Sequence, residues 1–159
     1  MDNLLISDQV IEAQMRTIGY AGVVLWYQEN HNSWVAIYHN YQTGMWVVEL
    51  IDGIGHGYSY GGPSIGSTTW YDLRVDADSV TGDLKVYLDD VYLFTHRTSN
   101  PYRTGLSGLW SGNAVGYFDN FSLTSDDIAP VPEPATMLLL ASGLVGLAGL
   151  RRRVGKSID

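Results

Sequence analysis

The sequence predicts an all-β protein, an antiparallel β-sandwich followed by one short hydrophobic helix at the C-terminus. Aromatic residues make up 12% of the chain and charged residues 16%, with 18 glycines, a mixture typical of twisted sheets joined by many turns. From residue 9 to residue 123, short runs of Val, Ile, Tyr and Trp are separated by clusters of Gly, Asn, Asp and Pro, without a helical period. A single long apolar run, residues 135–150, stands apart near the end.

Length and charge limit the classes of protein that this chain can represent. Its 159 residues suffice for one domain with a sizeable core and a short appendage. The absence of cysteine excludes disulfides and thiolate zinc sites and says nothing about the compartment. Residues 1–130 hold five basic and fifteen acidic side chains, a net charge of −10, whereas residues 131–159 carry +2. An acidic domain without a basic stripe is a poor partner for nucleic acid.

Nine strands are predicted from β-branched and aromatic runs bounded by turn residues. They are residues 9–16, 21–28, 33–39, 45–51, 68–77, 84–88, 91–96, 108–110 and 114–123. The alternation in residues 70–77 places Asp72, Arg74 and Asp76 on a solvated face and the intervening apolar residues on a packed face.

A hairpin and a loop are predicted in the centre of the chain. Residues 84–94 form two strands joined by a turn at Asp89 and Asp90, with Leu84, Val86 and Leu88 facing the core. Residues 51–67 contain six glycines and Pro63, which favours an irregular, adaptable loop over a strand.

The C-terminal region combines three physically different pieces. A Pro-Glu-Pro motif at residues 132–134 precedes the uncharged run 135–150, and three arginines follow at once. As a helix, a run of this length would span about 24 Å, somewhat less than the roughly 30 Å hydrocarbon core of a bilayer. The arginines favour retention of this end on the cytoplasmic side, which leaves the preceding domain on the other side of the membrane.

Residues 131–153 resemble a PEP-CTERM protein-sorting signal. The resemblance implies processing by an exosortase, a membrane enzyme of Gram-negative bacteria that make extracellular polysaccharide, and a destination at the cell envelope, surface or matrix with transient anchoring in the membrane. It assigns sorting to Pro132, Glu133, Pro134, Arg151, Arg152 and Arg153. Such proteins also have a signal peptide, which residues 1–8 do not resemble, so we expect an upstream extension with a signal peptide and at least one more strand.

The body is similar to a concanavalin A-like, LamG-like jelly roll, through residues 69–75, 84–90, 105–109 and 117–123. This resemblance divides the chain into a β-sandwich at 1–125, a linker at 126–131 and the sorting signal at 132–154, with a transmembrane segment at 135–150. In laminarinase-like relatives an aspartate in the last strand helps to hold a structural calcium ion, a role that the resemblance transfers to Asp119. Hard oxygen ligands suit calcium, and no other cofactor is expected.

Catalysis has few candidates in this sequence. Glycoside hydrolysis needs two carboxylates across a cleft. The spacing from Glu49 to Asp52 is three, which in a strand turns them to opposite faces. The wider family includes members that resemble 3-keto-disaccharide hydrolases, for which His31, His39 and His56 join Glu49 as acid–base candidates.

Carbohydrate binding is the function that we favour, since aromatic faces stack on sugar rings. The aromatic candidates are Trp26, Tyr27, Trp34, Tyr38, Trp46, Tyr58 and Tyr60, of which we select Trp46, Tyr58, Tyr60 and Trp34. The interpretation is a non-catalytic, exported protein that binds or is embedded in extracellular polysaccharide. A glycoside-acting enzyme and a structural surface protein without a ligand remain the alternatives.

Overall fold

A computed structural model of the chain describes residues 7–63, 67–112 and 115–125. The described residues form ten strands and one turn of 3₁₀ helix, Glu29–His31. The strands are β1 (Gln9–Thr17), β2 (Tyr20–Gln28), β3 (Ser33–Asn40), β4 (Gly44–Ile51), β5 (Ile54–Gly61), β6 (Tyr71–Ala77), β7 (Asp83–Leu88), β8 (Val91–Arg97), β9 (Leu106–Gly112) and β10 (Gly116–Thr124).

The strands form two five-stranded antiparallel sheets, which pack as the predicted sandwich. We call the sheet with strand order β5-β4-β3-β2-β9 the front sheet and the sheet with order β10-β1-β6-β7-β8 the back sheet. The chain changes sheets four times, after β1, β5, β8 and β9, so each sheet combines strands that are distant in sequence. The all-β prediction is confirmed.

The core lies between the inner faces of the two sheets. Alternate residues of each strand point to opposite faces, so the inner positions of β1, β2, β3, β6 and β7 are almost all apolar and buried. Ile11, Val23, Ile37, Leu73 and Val86 are among those that solvent reaches to 1% or less. Each such side chain stabilises the fold by about 1.5–3 kcal/mol relative to exposure.

The back sheet confirms the predicted alternation in detail. Tyr71, Leu73, Val75 and Ala77 of β6 are buried, whereas Asp72 is exposed on the opposite face. The hairpin β7–β8 turns at Asp89 and Asp90, whose φ angles of 49° and 63° are both positive, as the tight turn of a two-residue hairpin requires. The strand predicted at 68–77 begins later, at Tyr71, and the strand predicted at 108–110 extends in both directions as β9.

The prediction of a loop at residues 51–67 is wrong for its central part, which forms the edge strand β5. Asp52 and Gly53 adopt φ angles of 49° and 81° and close a hairpin between β4 and β5. Gly55 and Gly57 lie on the outer face of β5, next to large side chains of β4. A Cβ at Gly55 would lie 3.9 Å from the Leu50 side chain, and a Cβ at Gly57 would lie 3.9 Å from the Trp46 ring. The glycines therefore accommodate their neighbours within a regular strand.

The predicted linker, sorting signal and hydrophobic helix lie outside the described residues. The chain divides into two units, 1–128 and 129–159, and the described residues all belong to the first. Among the residues that the structure describes, no helix is long and apolar enough to cross a membrane.

Candidate functional site

The outer face of the front sheet, which we call the front face, is uncharged. The outward positions of β2, β3, β4, β5 and β9 follow from the strand register, and none of these described positions holds Asp, Glu, Lys or Arg. Large aromatic side chains occupy this face instead, among them Trp34, Tyr38, Trp46 and Trp110. A broad uncharged aromatic surface on a protein with a net charge of −8 is typical of a binding surface.

Three aromatic side chains form a row across the front face: Trp46 and Trp110 are half-buried, whereas Tyr38 is only 8% exposed and supports the row from within. The strand register aligns Ser59, Trp46, Tyr38, Gly22 and Trp110 from β5 to β9. The ring centroids of Tyr38 and Trp110 lie 4.7 Å apart, so these rings meet over the intervening glycine. The row is continuous on this side because Gly22 has no side chain to separate the two rings.

Gly22 is also required by the packing of its neighbours. A Cβ at this position would lie 2.0 Å from the carbonyl oxygen of Ile37 and 2.6 Å from Cβ of Tyr38, distances that no packed side chain tolerates. The Tyr20 ring packs against Tyr38 at 5.5 Å between centroids and widens the row toward one end of the sheet.

The Trp46 ring is oriented by two contacts. Its indole N–H donates a hydrogen bond of 2.8 Å to Oγ1 of Thr43. Its six-membered ring lies above the bare backbone of Gly57. These two contacts restrain the half-buried side chain, so it is pre-organised for a ligand.

Trp34 lies on the same face, two outward positions along β3 from Tyr38 and opposite Leu50 of β4. Between Trp34 and the aromatic row lie the smaller residues Ala36 and Val48. The structure therefore brings Trp34 and Trp46 to one surface, as the carbohydrate hypothesis requires.

Tyr58 and Tyr60 do not belong to this surface. Both are inward positions of β5, and they close the gap to the back sheet. The Tyr60 ring stacks on Phe94 of β8 at 3.9 Å with an angle of 2° between the planes, and the Tyr58 ring lies 4.8 Å from the His96 ring. With exposures of 37% and 39%, both tyrosines are accessible, but they face the side of the sandwich and not the front face.

Glu49, the candidate acid–base residue, lies in a buried network that connects the two sheets. Its side chain is fully buried, and Oε1 lies 2.6 Å from Nε2 of His96. Oε2 accepts a hydrogen bond of 2.8 Å from Oγ of Ser99. On the other side of the imidazole, Nδ1 of His96 lies 2.6 Å from Oη of Tyr60. The network thus runs from Glu49 of the front sheet to His96 of the back sheet, and from there to Tyr60 of the front sheet.

Burial alone would raise the pKa of the Glu49 carboxyl. Hydrogen bonds from His96, Thr98 and Ser99, together with the charge of His96, lower this pKa by a larger amount, so the net pKa lies below its ordinary value. Glu49 is therefore a carboxylate, and a carboxylate only accepts, so Nε2 of His96 must hold a proton. Solvent reaches 0% of Glu49 and 4% of His96, and a substrate in the surrounding solution contacts neither.

The remaining catalytic candidates do not meet Glu49 at a common cleft. Asp52 is exposed in the β4–β5 turn, while Glu49 points inward, as their spacing predicts. His31 lies near that turn, with Nδ1 3.9 Å from Oδ1 of Asp52, and its ring stacks on Tyr102.

The other two histidines are also separate. His39 is fully buried, with Nε2 3.1 Å from the carbonyl oxygen of Pro63, and burial lowers its pKa below the ordinary value. His56 pairs with Glu49 across the β4–β5 ladder but is exposed at the edge of the front sheet. The described residues therefore contain no cluster of these side chains that resembles an acid–base site.

The calcium assigned to Asp119 by resemblance finds no cluster of acidic or histidine side chains in the described part of the chain. There, no group of three or more His, Cys, Asp or Glu side chains is positioned to hold a metal ion. Oδ1 of Asp119 accepts a hydrogen bond of 2.8 Å from the backbone N–H of Asn120. The carboxylate lies on the exposed outer side of β10 and supports its own bulge.

The outer face of the back sheet differs from the front face in its charge. Arg74 forms ion pairs with Asp76 at 2.7 Å and with Glu12 at 3.8 Å. At one end of this face, the guanidinium of Arg16 lies between the exposed rings of Trp70 and Tyr117, 5.2 Å and 4.6 Å from their centroids. Salt-bridged charges are typical of a solvated face, so this side serves as an internal comparison for the front face.

Sequence reasoning missed three residues of these sites. Tyr20 and Trp110 alternate with smaller residues in β2 and β9, but their place beside Tyr38 depends on strand order. His96 lies two residues after Phe94 in β8 and therefore points inward as Phe94 does. This alternation was the sequence feature that could have predicted its burial. Trp26, in contrast, is buried by a bulge in β2 and donates its indole N–H to the carbonyl of Ser7 at 2.9 Å.

Comparisons with known proteins agree with this fold and with the C-terminal motif. Residues 130–153 match the PEP-CTERM protein-sorting motif. The structure is similar to the carbohydrate-binding module CBM66 from Bacillus subtilis, with a TM-score of 0.67 and 18% identity over 75% of this chain and 76% of that chain. It is also similar to sheep galectin-11, with a TM-score of 0.59 and 6% identity over 76% and 94% of the two chains.

A third similar structure is the galectin LEC-6 of Caenorhabditis elegans, with a TM-score of 0.57 and 8% identity over 78% of this chain and 86% of that chain. No curated protein matches the chain in sequence. At these identities the likeness shows the fold, which is a jelly-roll sandwich as predicted.

Proposed function

We propose that this protein is an exported, surface-sorted, non-catalytic protein that binds extracellular polysaccharide through its front face. The observation that supports the proposal is the pair of half-buried rings of Trp46 and Trp110, with the buried Tyr38 between their strands, on a sheet face without charged side chains. The apolar faces of sugar rings stack on such aromatic platforms, whereas the ring hydroxyls need only a few polar partners.

The properties of the front face favour a carbohydrate ligand over the hydrophobic interface of a protein dimer. Trp34, Trp46 and Trp110 are all half-buried, and the rings of Trp46 and Trp110 are supported by a glycine or by the neighbouring Tyr38 ring. Rigid rings lose little conformational entropy when a ligand binds. The similar carbohydrate-binding module and galectins add to this support, because their names associate the same architecture with sugars.

The C-terminal motif supports the localisation in the proposal. Residues 130–153 match a PEP-CTERM protein-sorting motif, which is the sorting signal expected of a protein that an exosortase processes at the envelope of a Gram-negative bacterium. In the proposal, that enzyme recognises Pro132, Glu133 and Pro134. The membrane holds the chain until processing through the segment 135–150 and the flanking Arg151, Arg152 and Arg153. The intact mass of the native protein tests this, since processing removes the residues after the motif.

Binding is tested with immobilised glycans and with the Trp46→Ala variant of the full chain. The indole of Trp46 is held in place on the face, so we expect its removal to weaken binding by roughly 10–30-fold, the loss typical of a binding hot spot. Trp46→Phe retains an aromatic ring and should restore part of the affinity.

The matched control is Trp70→Ala, which removes an aromatic ring with 41% exposure that lies beside Arg16 and away from the front face. This control should bind as the unmodified protein does. Equal losses in the two tryptophan variants would overturn the assignment of binding to the front face. A folded protein that binds no glycan from its own host's matrix would overturn the proposal and leave the structural surface protein without a ligand.

A further inference from the structure

We infer that the ligand of the front face is an electrically neutral polysaccharide, whose chain lies across the strands along the row of Trp46, Tyr38 and Trp110. This inference rests on the proposed function and names the class of sugar that the same face selects. It excludes the acidic polymers, rich in uronic acid or sulfate, that also occur in extracellular matrices.

The positive charges of the domain lie away from the front face. Residues 1–130 contain only five basic side chains, Arg16, Arg74, Lys85, Arg97 and Arg103, and none of them lies on the front face. Recognition of a carboxylate or sulfate uses charge-assisted hydrogen bonds, most often from arginine. An anionic sugar bound on the front face would meet no such partner among the described residues.

The four arginines among these cations also have other roles elsewhere. Arg74 and Arg97 pair with Asp76 and Asp83, at 2.7 Å in both cases. Arg103 donates to backbone carbonyls, including that of Val80 at 2.9 Å. Arg16 is stacked between two rings on the back sheet. Fifteen acidic side chains within residues 1–130 add a repulsive field that an anionic polymer would have to overcome.

The aromatic row runs across the strands of the front sheet. Trp46, Tyr38 and Trp110 lie on β4, β3 and β9, with Gly22 of β2 between the last two. Adjacent strands are 4.7–4.9 Å apart, so the row extends about 14 Å across the sheet. A platform of this length accommodates successive rings of an extended chain, whereas a single terminal sugar would need a short, enclosed pocket.

Polar groups flank the row but do not interrupt it. Asn40 lies beside Tyr20 at one end of the face, and Ser59 is the outward residue of β5 next to Trp46. Neutral amide and hydroxyl groups both donate and accept, which suits sugar hydroxyls. The face therefore combines aromatic stacking with uncharged hydrogen bonding.

The experiment uses the full chain and the extracellular polysaccharide of its own host, separated by anion exchange into a neutral and an acidic fraction. We expect binding to the neutral fraction only. Its apparent affinity should change less than about twofold between roughly 20 mM and 500 mM salt, because no ion pair is screened. Longer oligosaccharides from the neutral fraction should bind more tightly until they span the row.

A charge-introduction pair provides the matched control. Val48→Lys places a cation in the centre of the front face, at a half-exposed outward position of β4. This variant should lose about tenfold in affinity for the neutral fraction and gain binding to the acidic fraction that salt abolishes. Val10→Lys, at a half-exposed outward position of β1 on the back sheet, should change neither.

The outcomes separate this inference from the proposed function. Salt-sensitive binding of the unmodified protein to the acidic fraction, lost in Trp46→Ala, would overturn the neutral ligand while the carbohydrate function stands. Binding to mono- or disaccharides as tight as to longer chains would overturn the extended geometry. Failure to bind either fraction would overturn the proposed function itself.

Discussion

Replacement of Glu49 by glutamine should reveal how strongly the buried network joins the two sheets. Glu49→Gln retains the size of the side chain and one oxygen that accepts from Nε2 of His96, now 2.6 Å from the carboxylate. The second oxygen becomes an NH₂ group, which faces the hydroxyl and the backbone N–H of Ser99, at 2.8 Å and 3.3 Å from the present Oε2. Two charge-assisted hydrogen bonds thus become neutral, and one N–H faces another donor.

The size of the effect follows from these contacts. A hydrogen bond to a charged group contributes about 1.5–3 kcal/mol and a neutral one about 0.5–1.5 kcal/mol, so we expect the free energy of unfolding to fall by about 2–3 kcal/mol. For a domain of this size that is a decrease in Tm of roughly 8–12 °C. Glu49→Ala should cost about 3–5 kcal/mol, because it leaves His96 without an acceptor in a buried site.

The pH dependence has a definite sign. The pKa of Glu49 lies below its ordinary value of 4.5, so its carboxylate stabilises the folded state fully above that pH, and the stabilisation is lost as the pH falls through the lower, folded-state pKa. Glutamine does not titrate. The difference in stability between the unmodified protein and Glu49→Gln should therefore be largest near neutral pH and should shrink below about pH 4.5.

Urea denaturation at several pH values, followed by tryptophan fluorescence, measures both quantities. The control is Glu12→Gln, since Glu12 is an exposed residue 3.8 Å from Arg74 and should contribute no more than about 0.5 kcal/mol. Glu49→Gln with the stability of the unmodified protein at pH 7, or with a loss that is undiminished at pH 3.5, would refute the role of the network.

The remaining predictions concern the packing around each sheet. Tyr71→Phe should raise the free energy of unfolding by up to about 1 kcal/mol, because the buried hydroxyl has no hydrogen-bond partner among the described residues, whereas Tyr60→Phe should lower it by about 1 kcal/mol. Urea denaturation measures both, and destabilisation by Tyr71→Phe would contradict the assignment. Gly22→Ala should destabilise by about 2 kcal/mol or more, because its Cβ would lie 2.0 Å from a carbonyl oxygen, while Gly57→Ala, with a nearest contact at 3.9 Å, should cost less than about 1 kcal/mol. Equal values of Tm for the two glycine variants would show that the row does not depend on Gly22.

Local alternation was sufficient to predict the faces of the back sheet. In β6, Asp72 and Leu73 point to opposite sides because successive residues of a strand always do, whatever the rest of the chain does. The turn at Asp89 and Asp90 was equally local, since two short polar residues between apolar runs favour positive φ angles.

The same local reasoning failed where glycine has two roles. Between residues 51 and 67 its frequency was interpreted as irregular structure, but Gly53 forms a turn and Gly57 makes room for Trp46. Glycine is favoured both where the backbone needs a positive φ and where a neighbour needs space. Only the partner strand distinguishes these roles, and the partner was unknown.

Trp26 and Trp34 illustrate the limit for the binding face. Simple alternation in β2 places Trp26 on the same side as Val24, toward the front face, but a bulge with a φ angle of 52° turns it into the core. Trp34 follows the regular alternation of β3 and stays on the front face. A bulge depends on the pairing of two strands, so no count along one strand predicts it.

The sequence by itself determined the all-β class, the alternation of most strands, the acidic character of the domain and the sorting motif at residues 130–153. These are properties of composition and of short-range order, which a single strand already has. The tertiary structure decided the rest: it placed Trp110 beside Tyr38 and joined Glu49 to His96, residues separated by 72 and 47 positions. Such contacts depend on strand order and on which sheet receives each strand, and these follow from the burial of apolar faces against each other over the whole domain.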